Sequence, residues 1–450
     1  MPTYQAPRGM RDLLPEEAAA FDRLFAVVMA RSLRYGYPRI VTPLVEDREV
    51  FLRTSGQSSD AAGKEMYDVA LHGTAGLALR PEGTAPVARA YLEHGLHRAP
   101  QPVRFSYWEP MFRGQRPQKL RFRQFWQWGL ECFGAPEPGA DVEIIEFTTG
   151  LLAEVGLTDY VLKVNTIGGT ESRANVKEAL TAYFSRYKDE LDADSKERLE
   201  TSVLRIIDSK VPRTREIAAG APKVSELITA EDRSHFAAVT DGLERLGIRY
   251  ELDERKVRGL DYYTRTVFEC VLTDPEFTAA GEIAVAGGGR YDGLVRTRGG
   301  PDTPGVGVAG GVDVLYFALK TQDVKIDDST QADVYVLSGE PNDGADRTQL
   351  AAPLREAGFR VAVDHTQRSL DKQLESAVKH GAKVVVIRGT PESRGGKVIV
   401  KDLVAKEQRV TRLAAVVTEV GRHVPKRPRP RLVEEPGAAG ETPYLADPRD

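Results

Sequence analysis

Cysteine is scarce in this sequence, which has only Cys132 and Cys270 among 450 residues. Two cysteines exclude a disulfide framework and a four-thiolate zinc site, and both lie in apolar runs that predict buried thiols. The seven histidines include no pair at the spacing of metal ligands. We therefore expect no protein-bound metal.

Long apolar runs are also missing. No stretch reaches the roughly 18 apolar residues of a membrane span, and charges and prolines occupy the first residues, where a secretory signal has its apolar core. We therefore expect a cytoplasmic protein with no membrane partner. Charge of one sign is lacking too, since 62 basic residues stand against 66 acidic ones and give a net charge of −4. A nucleic-acid partner would have to be held by local basic patches.

The residues that are present predict a mixed α/β (α+β) chain. In the first part of the chain we expect helices over 15–34, after Glu82 and from about Gly311. We expect strands over 39–42, 266–272 and 282–286, and a hairpin of strands 103–112 and 121–133. A glycine-rich turn is expected at 287–289. Strand signals are few between about 170 and 250. We expect an inserted helical module there.

The composition also predicts how the chain divides. We expect a first domain over residues 1–320 that includes the helical insertion at about 170–250, followed by a polar linker over 321–331. Residues 332–424 alternate as β-α-β-α-β, which is typical of a small α/β domain. The tail, 425–450, is rich in Pro, Arg, Gly and Glu and is expected to be disordered.

A dense group of cations marks the predicted hairpin. Within 20 residues the sequence has one acid, Glu109, and six cations: Arg104, Arg113, Arg116, Lys119, Arg121 and Arg123. Either a bound phosphate-bearing ligand or a solvated basic hairpin accounts for such density. Aromatic residues interleaved with Gln127 and Glu131 favour the ligand, because buried polar groups need partners. Strand alternation puts four residues on one face: Phe125, Gln127, Gly129 and Glu131.

Three other segments combine residue types that bind ligands. The first places Glu82 and Thr84 on a turn entering a helix, where Thr84 is equally consistent with a simple helix cap. The second, Arg258 to Tyr263, joins a cation, a glycine turn and two adjacent tyrosines directly before a strand. The third, Gly287 to Gly293, is also consistent with a plain turn. No GxxxxGK[ST] loop supports an unrelated nucleotide-binding domain.

The runs RGLDYYTRTVFE (Arg258 to Glu269) and MFRGQRPQKLRFRQFWQWGLE (Met111 to Glu131) resemble the histidyl-tRNA synthetases. The resemblance extends to about residue 424. It implies a class II synthetase catalytic domain on an antiparallel sheet, with a helical insertion, followed by a small α/β anticodon-binding domain that contains RSLDKQLESAVKHGAKVVVI. It also implies histidine, ATP carrying Mg²⁺, tRNA(His) and a second copy of the chain as partners.

The resemblance implies a role for each residue of the motifs. Arg113 and Arg258 would contact the α-phosphate and act as the catalytic residues. The ATP-binding residues would be Arg113, Arg116, Arg121 and Phe125. The histidine-binding residues would be Glu82, Thr84, Gln127, Glu131, Tyr263 and Tyr291, with Glu131 and Tyr263 on the two ring nitrogens.

Four positions depart from the family pattern. Gly114-Gln115 replaces a His-Glu pair, Trp126 replaces a His, and Val314 stands where an arginine that grips ATP is usual. Losing such a charge can cost about 3 to 4 kcal/mol in a phosphoryl-transfer site. Either Arg296 or Arg298 substitutes, or the chain resembles instead the regulatory paralogue of histidine biosynthesis that binds histidine.

Overall fold

The structure is a computed structural model that describes residues 4–55, 65–71, 74–117, 120–207, 209, 211–254, 262–278, 281–326, 330–340 and 344–426. The chain divides into two compact units, Met1–Asp328 and Ser329–Asp450. In the described ranges, every helix is too short or too polar to cross a bilayer. The predicted tail falls almost entirely outside these ranges.

A seven-stranded sheet in the order β4-β5-β10-β9-β8-β6-β7 forms the centre of the first unit. Its strands are β4 (Val103–Phe112), β5 (Gln124–Phe133), β6 (Tyr160–Thr166), β7 (Glu251–Leu252), β8 (Thr264–Leu272), β9 (Ala284–Arg290) and β10 (Gly305–Gly311). All neighbours are antiparallel except β6 and β7. The predicted fold class is confirmed by this antiparallel sheet.

The sheet has one face covered by helices, which we call the core face. Helix α1 (Pro15–Arg34) begins with a proline and two acids in its first turn, a composition that suits the positive end of a helix dipole. Its apolar stripe, including Leu24 and Val28, packs with Trp128 of β5 and with α4 (Pro138–Glu154) in one buried cluster. Helix α11 (Val312–Thr321) joins the same cluster.

Strand β9 corrects the sequence expectation of a glycine-rich turn at 287–289. These three residues lie inside the strand and pair with both β8 and β10. The backbones approach so closely that a Cβ on Gly288 would overlap the carbonyl oxygen of Gly307. Glycine is therefore required here by close approach rather than by a turn.

The predicted strand over 39–42 is wrong. Among these residues only Arg39 forms a β-bridge, which is parallel and pairs with Ser106. A separate three-stranded sheet in the order β1-β3-β2 lies further along the chain, and the sequence pattern did not reveal it. Its elements, with the helices on either side, are β1 (Val45–Asp47), α2 (Arg48–Ser55), β2 (Tyr67–Leu71), β3 (Thr74–Leu79) and α3 (Thr84–Glu93).

Between β6 and β7 the described chain is helical. Its helices are α5 (Thr170–Ser185), α6 (Ala193–Thr201), α7 (Pro212–Ala219), α8 (Val224–Leu227) and α9 (Ala230–Arg245). The first four surround a hydrophobic cluster of their own that includes Leu180, Phe184 and Ile206, whereas α9 contributes Val239 and Leu243 to the cluster on the core face of the sheet. We call residues 170–245 the helical insertion. One more short helix, α10 (Pro275–Thr278), precedes β9.

The second unit contains a five-stranded sheet in the order β12-β11-β13-β14-β15. Its elements are β11 (Val334–Ser338), α12 (Gly344–Glu356), β12 (Val361–Val363), α13 (Leu370–Lys379), β13 (Val384–Arg388), β14 (Lys397–Asp402), β15 (Glu407–Arg412) and α14 (Val416–Val420). Strand β11 is parallel to β12 and β13, whereas β14 and β15 add antiparallel strands. The alternation observed in the sequence ends at β13, and the last three elements were not predicted.

Candidate functional site

The open face of the seven-stranded sheet carries the candidate site. Four residues of β5 share this face, as strand alternation predicted: Phe125, Gln127, Gly129 and Glu131. Strand β10, which pairs with β5, has only small residues on this face. Gly311, Ala309 and Gly307 lie opposite Gln127, Gly129 and Glu131, respectively. A Cβ on Gly307 would overlap the Glu131 carboxylate. The small residues therefore leave room above the sheet for polar side chains and a ligand.

Glu131 lies at the bottom of this space and is 1% exposed. Its carboxylate accepts hydrogen bonds from the hydroxyls of Thr84 at 2.7 Å, Tyr107 at 3.4 Å and Tyr291. Burial, reinforced by the nearby charge of Glu82, outweighs these hydrogen bonds and raises the pKa of Glu131 to about 8. The site thus holds a carboxyl group that gains or loses a proton near neutral pH.

Glu82, rather than Thr84, caps helix α3. The Glu82 carboxylate accepts from the backbone N–H groups of Thr84 at 2.7 Å and Ala85 at 2.9 Å. The Thr84 hydroxyl points instead to Glu131, so the helix-cap interpretation of that hydroxyl is wrong. Burial raises the pKa of Glu82, although these hydrogen bonds and the charges of Arg298 and Arg113 oppose the shift. Two buried carboxyl groups therefore face one small space.

Gln127 borders the same space. Its side-chain oxygen accepts a hydrogen bond from the backbone N–H of Gly83 at 3.2 Å. This contact orients the amide so that its nitrogen is directed away from Gly83. Gln127 is therefore fixed between the turn that carries Glu82 and the strand that carries Glu131.

Four tyrosines enclose the two carboxyl groups. The ring of Tyr262 lies 4.7 Å from that of Tyr263 and 5.8 Å from that of Tyr291, centroid to centroid. Burial, with the neighbouring negative charges, raises the pKa of Tyr107, Tyr262 and Tyr291 well above 10. All three hydroxyls are therefore protonated at neutral pH and can donate hydrogen bonds.

Sequence reasoning assigned no role to Tyr107 and none to Tyr262. Tyr107 pairs with Gly129 across the hairpin, and its ring occupies the volume that a side chain at Gly129 would fill. The signal was available, since a residue opposite Gly129 must share the face that carries Glu131. Tyr262 lay beside Tyr263 in the motif, and only one of the two received a role.

Arg113 and Phe125 adjoin one another at the far end of the hairpin. The guanidinium carbon of Arg113 lies 5.2 Å from the centroid of the Phe125 ring, and its Nε donates to the carbonyl oxygen of Pro81 at 2.8 Å. Pro81 precedes Glu82, so the cation and aromatic ring border the carboxyl-lined pocket. This arrangement offers a positive charge and a flat stacking surface beside a polar pocket.

The other cations of the hairpin do not form a single cluster. Arg116 and Arg121 are exposed on the loop between β4 and β5, and Lys119 lies outside the described residues. Arg123 braces this loop, since its Nε donates to the Gln115 carbonyl oxygen at 3.1 Å. Arg104 belongs to the opposite face, where it lies near Glu143 at 3.5 Å. Arg104 therefore does not belong to the group of cations that the sequence placed together.

Arg258 lies outside the described residues, together with Gly259, Leu260 and Asp261. The convergence of Arg113 and Arg258 on one phosphorus consequently stays a prediction. The described part of the motif begins at Tyr262.

Val314 lies in the first turn of α11 beside a bridging acid. Asp313 accepts from the backbone N–H of Trp126 at 2.9 Å, which ties α11 to β5, and pairs with Arg11 at 2.8 Å.

Of the two cations suggested as substitutes for the missing arginine at Val314, Arg296 pairs at the surface with Asp302 at 3.3 Å. Arg298 is close enough to Glu82 to influence its ionisation. Desolvation, opposed by the charges of Glu82 and Glu46, lowers the pKa of Arg298 to about 10.

Both units of the chain match known protein families. Residues 9–315 match a family model described as histidyl-tRNA synthetase, and residues 333–423 match one described as an anticodon binding domain. The histidine–tRNA ligase of Synechococcus sp. is 42% identical over 417 residues, which are 93% of this chain and 98% of that protein. That of Desulforudis audaxviator is 42% identical over 418 residues, which are 92% and 98%. The crystal structure of apo S. aureus histidyl-tRNA synthetase has a TM-score of 0.78 at 30% identity and covers 93% of this chain and 99% of that one.

Proposed function

This chain belongs to the histidyl-tRNA synthetase family, and from that premise we propose that it activates histidine with ATP and transfers it to the 3′ end of tRNA(His). The observation that carries the proposal is the buried Glu131 carboxyl, held by Thr84 and Tyr291 beside the Arg113 and Phe125 pair. One end of this site suits a small cationic ligand. The other suits a nucleotide.

Histidine fits the carboxyl-lined end by its charge and its donors. Glu82 and Glu131 are both buried, and neither ionises easily without a cation nearby. An ammonium group supplies that charge, and Glu82, Thr84 and Gln127 surround the place where we put it. A planar ring with two opposed nitrogens is best selected by two fixed polar groups, for which we propose Glu131 and Tyr263, with Tyr291 holding Glu131.

ATP fits the Arg113 end. Phe125 offers its ring to adenine, and Arg113 offers a guanidinium group to the α-phosphate. We propose that Arg258 contacts the same phosphate, and that the exposed Arg116 and Arg121 contact the outer phosphates. Magnesium is expected to arrive bound to ATP, since Mg²⁺ usually binds substrate phosphates and retains several waters.

The reaction then has two steps. A carboxylate oxygen of histidine attacks the α-phosphorus of ATP, the bond to the bridging oxygen breaks, and pyrophosphate leaves. Next, a terminal ribose hydroxyl of tRNA attacks the carbonyl carbon of histidyl-adenylate, and AMP leaves. No side chain forms a covalent bond, so catalysis rests on position and on charge stabilisation. We propose that the second unit binds the anticodon, as the description of its family model indicates.

Val314 is the one feature that favours the alternative of a histidine-binding regulatory paralogue. The relatives named histidine–tRNA ligase, at about 40% identity over most of the chain, favour the enzyme instead. In the enzyme, we propose that Arg298 supplies part of the missing charge, since it lies near Glu82. We further propose a homodimer in the cytoplasm. The exposed apolar side chains of Val41 and Leu44 are consistent with a covered surface in that dimer.

Histidine-dependent exchange of labelled pyrophosphate into ATP tests the proposal directly. The unaltered protein should catalyse this exchange, and Val314→Arg should lower its KM for ATP by adding a cation beside the nucleotide. An Arg298→Met protein should lose exchange activity if Arg298 supplies the missing charge. Histidine binding without exchange in both the unaltered and the Val314→Arg proteins would instead support the regulatory alternative.

A further inference from the structure

The helical insertion is fastened to the segment that carries Tyr263. Arg173, in the first turns of α5, donates from Nη1 to the backbone carbonyl oxygen of Tyr263 at 3.0 Å. Two residues beyond Tyr263, Arg265 donates from Nε to Asp232 at 2.7 Å and from Nη2 to Glu231 at 2.5 Å. Both acids lie in the first turn of α9. Two helices of the insertion therefore hold one short stretch at the start of β8.

The backbone of that stretch is in a conformation that needs such support. Arg265 has a φ of +49°, in the left-handed region that side chains disfavour. Its N–H donates to the Gly168 carbonyl oxygen at 2.8 Å, and its own carbonyl oxygen accepts from the N–H of Ile167 at 2.8 Å. The stretch is thus clamped to the residues that lead from β6 into the insertion.

Asp232 is the central acceptor of this clamp. Besides Arg265, it accepts from the backbone N–H of Gly169 at 2.7 Å and from the Ser172 hydroxyl at 2.5 Å. Burial opposes its ionisation, but these donors and the charge of Arg265 outweigh burial and lower the pKa of Asp232. The carboxylate is therefore charged at neutral pH and bonds all three donors at once.

We propose that Arg173 and Arg265 are positioning residues through which the helical insertion sets the place of Tyr263 in the histidine pocket. The inference rests on the proposed function of that pocket. Tyr263 packs against Tyr262, which packs against Tyr291, the donor to Glu131. Movement of the insertion is transmitted along this chain of rings to the histidine end of the site. Arg113 and Phe125, which we assign to ATP, lie on β4–β5 and its hairpin, so the insertion does not set their place.

An Arg173→Met protein tests the inference in the pyrophosphate exchange assay. We expect its KM for histidine to rise about tenfold, the size expected for one lost charged hydrogen bond, with the KM for ATP within about twofold of wild type. Arg173→Lys keeps a donor and should recover most of the loss. Arg213→Met is the matched control, because within the described part of the chain Arg213 pairs with Glu190 and Glu216, both inside the insertion. It should keep both KM values.

Hydrogen exchange of backbone amides provides a second measurement, because coupling between two sites is reciprocal. Saturating histidine should slow exchange in α5 and α9 of the unaltered protein, and Arg173→Met should abolish most of that change. Unchanged histidine KM in Arg173→Met, or equal changes in both substrates' KM values, would overturn the inference and leave the proposed function intact. A wild-type protein that neither catalyses pyrophosphate exchange nor binds histidine would overturn both the inference and the proposed function.

Discussion

Replacing Glu131 by glutamine is predicted to stabilise the folded protein and to weaken histidine activation. Burial raises the pKa of Glu131 from its ordinary value of 4.5 to about 8. A carboxyl group whose pKa is higher in the folded state favours folding while protonated, and this contribution is lost as pH rises from 4.5 to 8. One pKa unit corresponds to about 1.36 kcal/mol. Relative to acid pH, the free energy of unfolding of wild type is therefore lowered by about 1 kcal/mol at pH 5, by about 3 kcal/mol at pH 7 and by about 5 kcal/mol above pH 8.

The Glu131→Gln protein has no proton to lose at this position, and its amide can still accept from Thr84. Its free energy of unfolding should therefore exceed that of wild type by an amount that grows with pH, measured by urea unfolding at pH 5 and pH 8.5. The same substitution removes the charge that we assign to imidazole binding, so histidine-dependent exchange should fall by about tenfold to a hundredfold.

Glu251→Gln is a suitable control, because Glu251 is exposed at the edge of the sheet. The difference in unfolding free energy between Glu251→Gln and wild type should be the same at pH 5 and at pH 8.5. If Glu131→Gln also shows a pH-independent difference, Glu131 is not protonated near neutral pH, and the reasoning from burial is refuted.

Three further predictions test other parts of the site. Gly129→Ala would place a Cβ against the Tyr107 ring, so we expect a loss of about 1–3 kcal/mol in unfolding free energy and a higher KM for histidine; Gly293→Ala, whose Cβ would have its nearest neighbour at 3.9 Å, should change neither. Phe125→Ala should raise the KM for ATP about tenfold or more, with an unchanged KM for histidine, because one base–aromatic stack is lost; an unchanged KM for ATP would contradict the adenine assignment. Histidine binding at pH 7 should release about one proton per site as Glu131 ionises beside the ligand, which calorimetry in buffers of different ionisation enthalpy measures; no release would contradict that ionisation.

The hairpin was predictable because its information is local. Alternation with a period of two placed Phe125, Gln127 and Glu131 on one face, and the register with β4 agrees. The same rule separates Arg104 from the hairpin loop, since Arg104 pairs with Cys132 on the core face. Counting cations along the sequence ignored that rule, which is why Arg104 was grouped wrongly.

Other features depend on strands that are distant in sequence. Gly288 looked like part of a turn because glycine is common in turns, whereas its pairing with Val308 decides its structure. The contact between Arg173 and the Tyr263 carbonyl joins residues 90 positions apart. No pattern near Arg173 distinguishes it from an ordinary exposed helix residue. Only the fold brings the helical insertion to the pocket that we propose for histidine.

The two buried carboxyl groups give a physical basis for the specificity that we propose for the pocket, and they also reduce the stability of the folded protein. Glu82 is close enough to Glu131 to raise its pKa, and the nearby cations, Arg298 and Arg113, oppose the shift in the pKa of Glu82. The free pocket therefore reaches electrical balance by holding a proton on Glu131. An amino acid with a ring N–H donor can replace that proton, whereas one whose side chain has no donor would leave the ionised Glu131 without a partner. The selectivity that we propose for histidine thus follows from the same burial that destabilises the empty site.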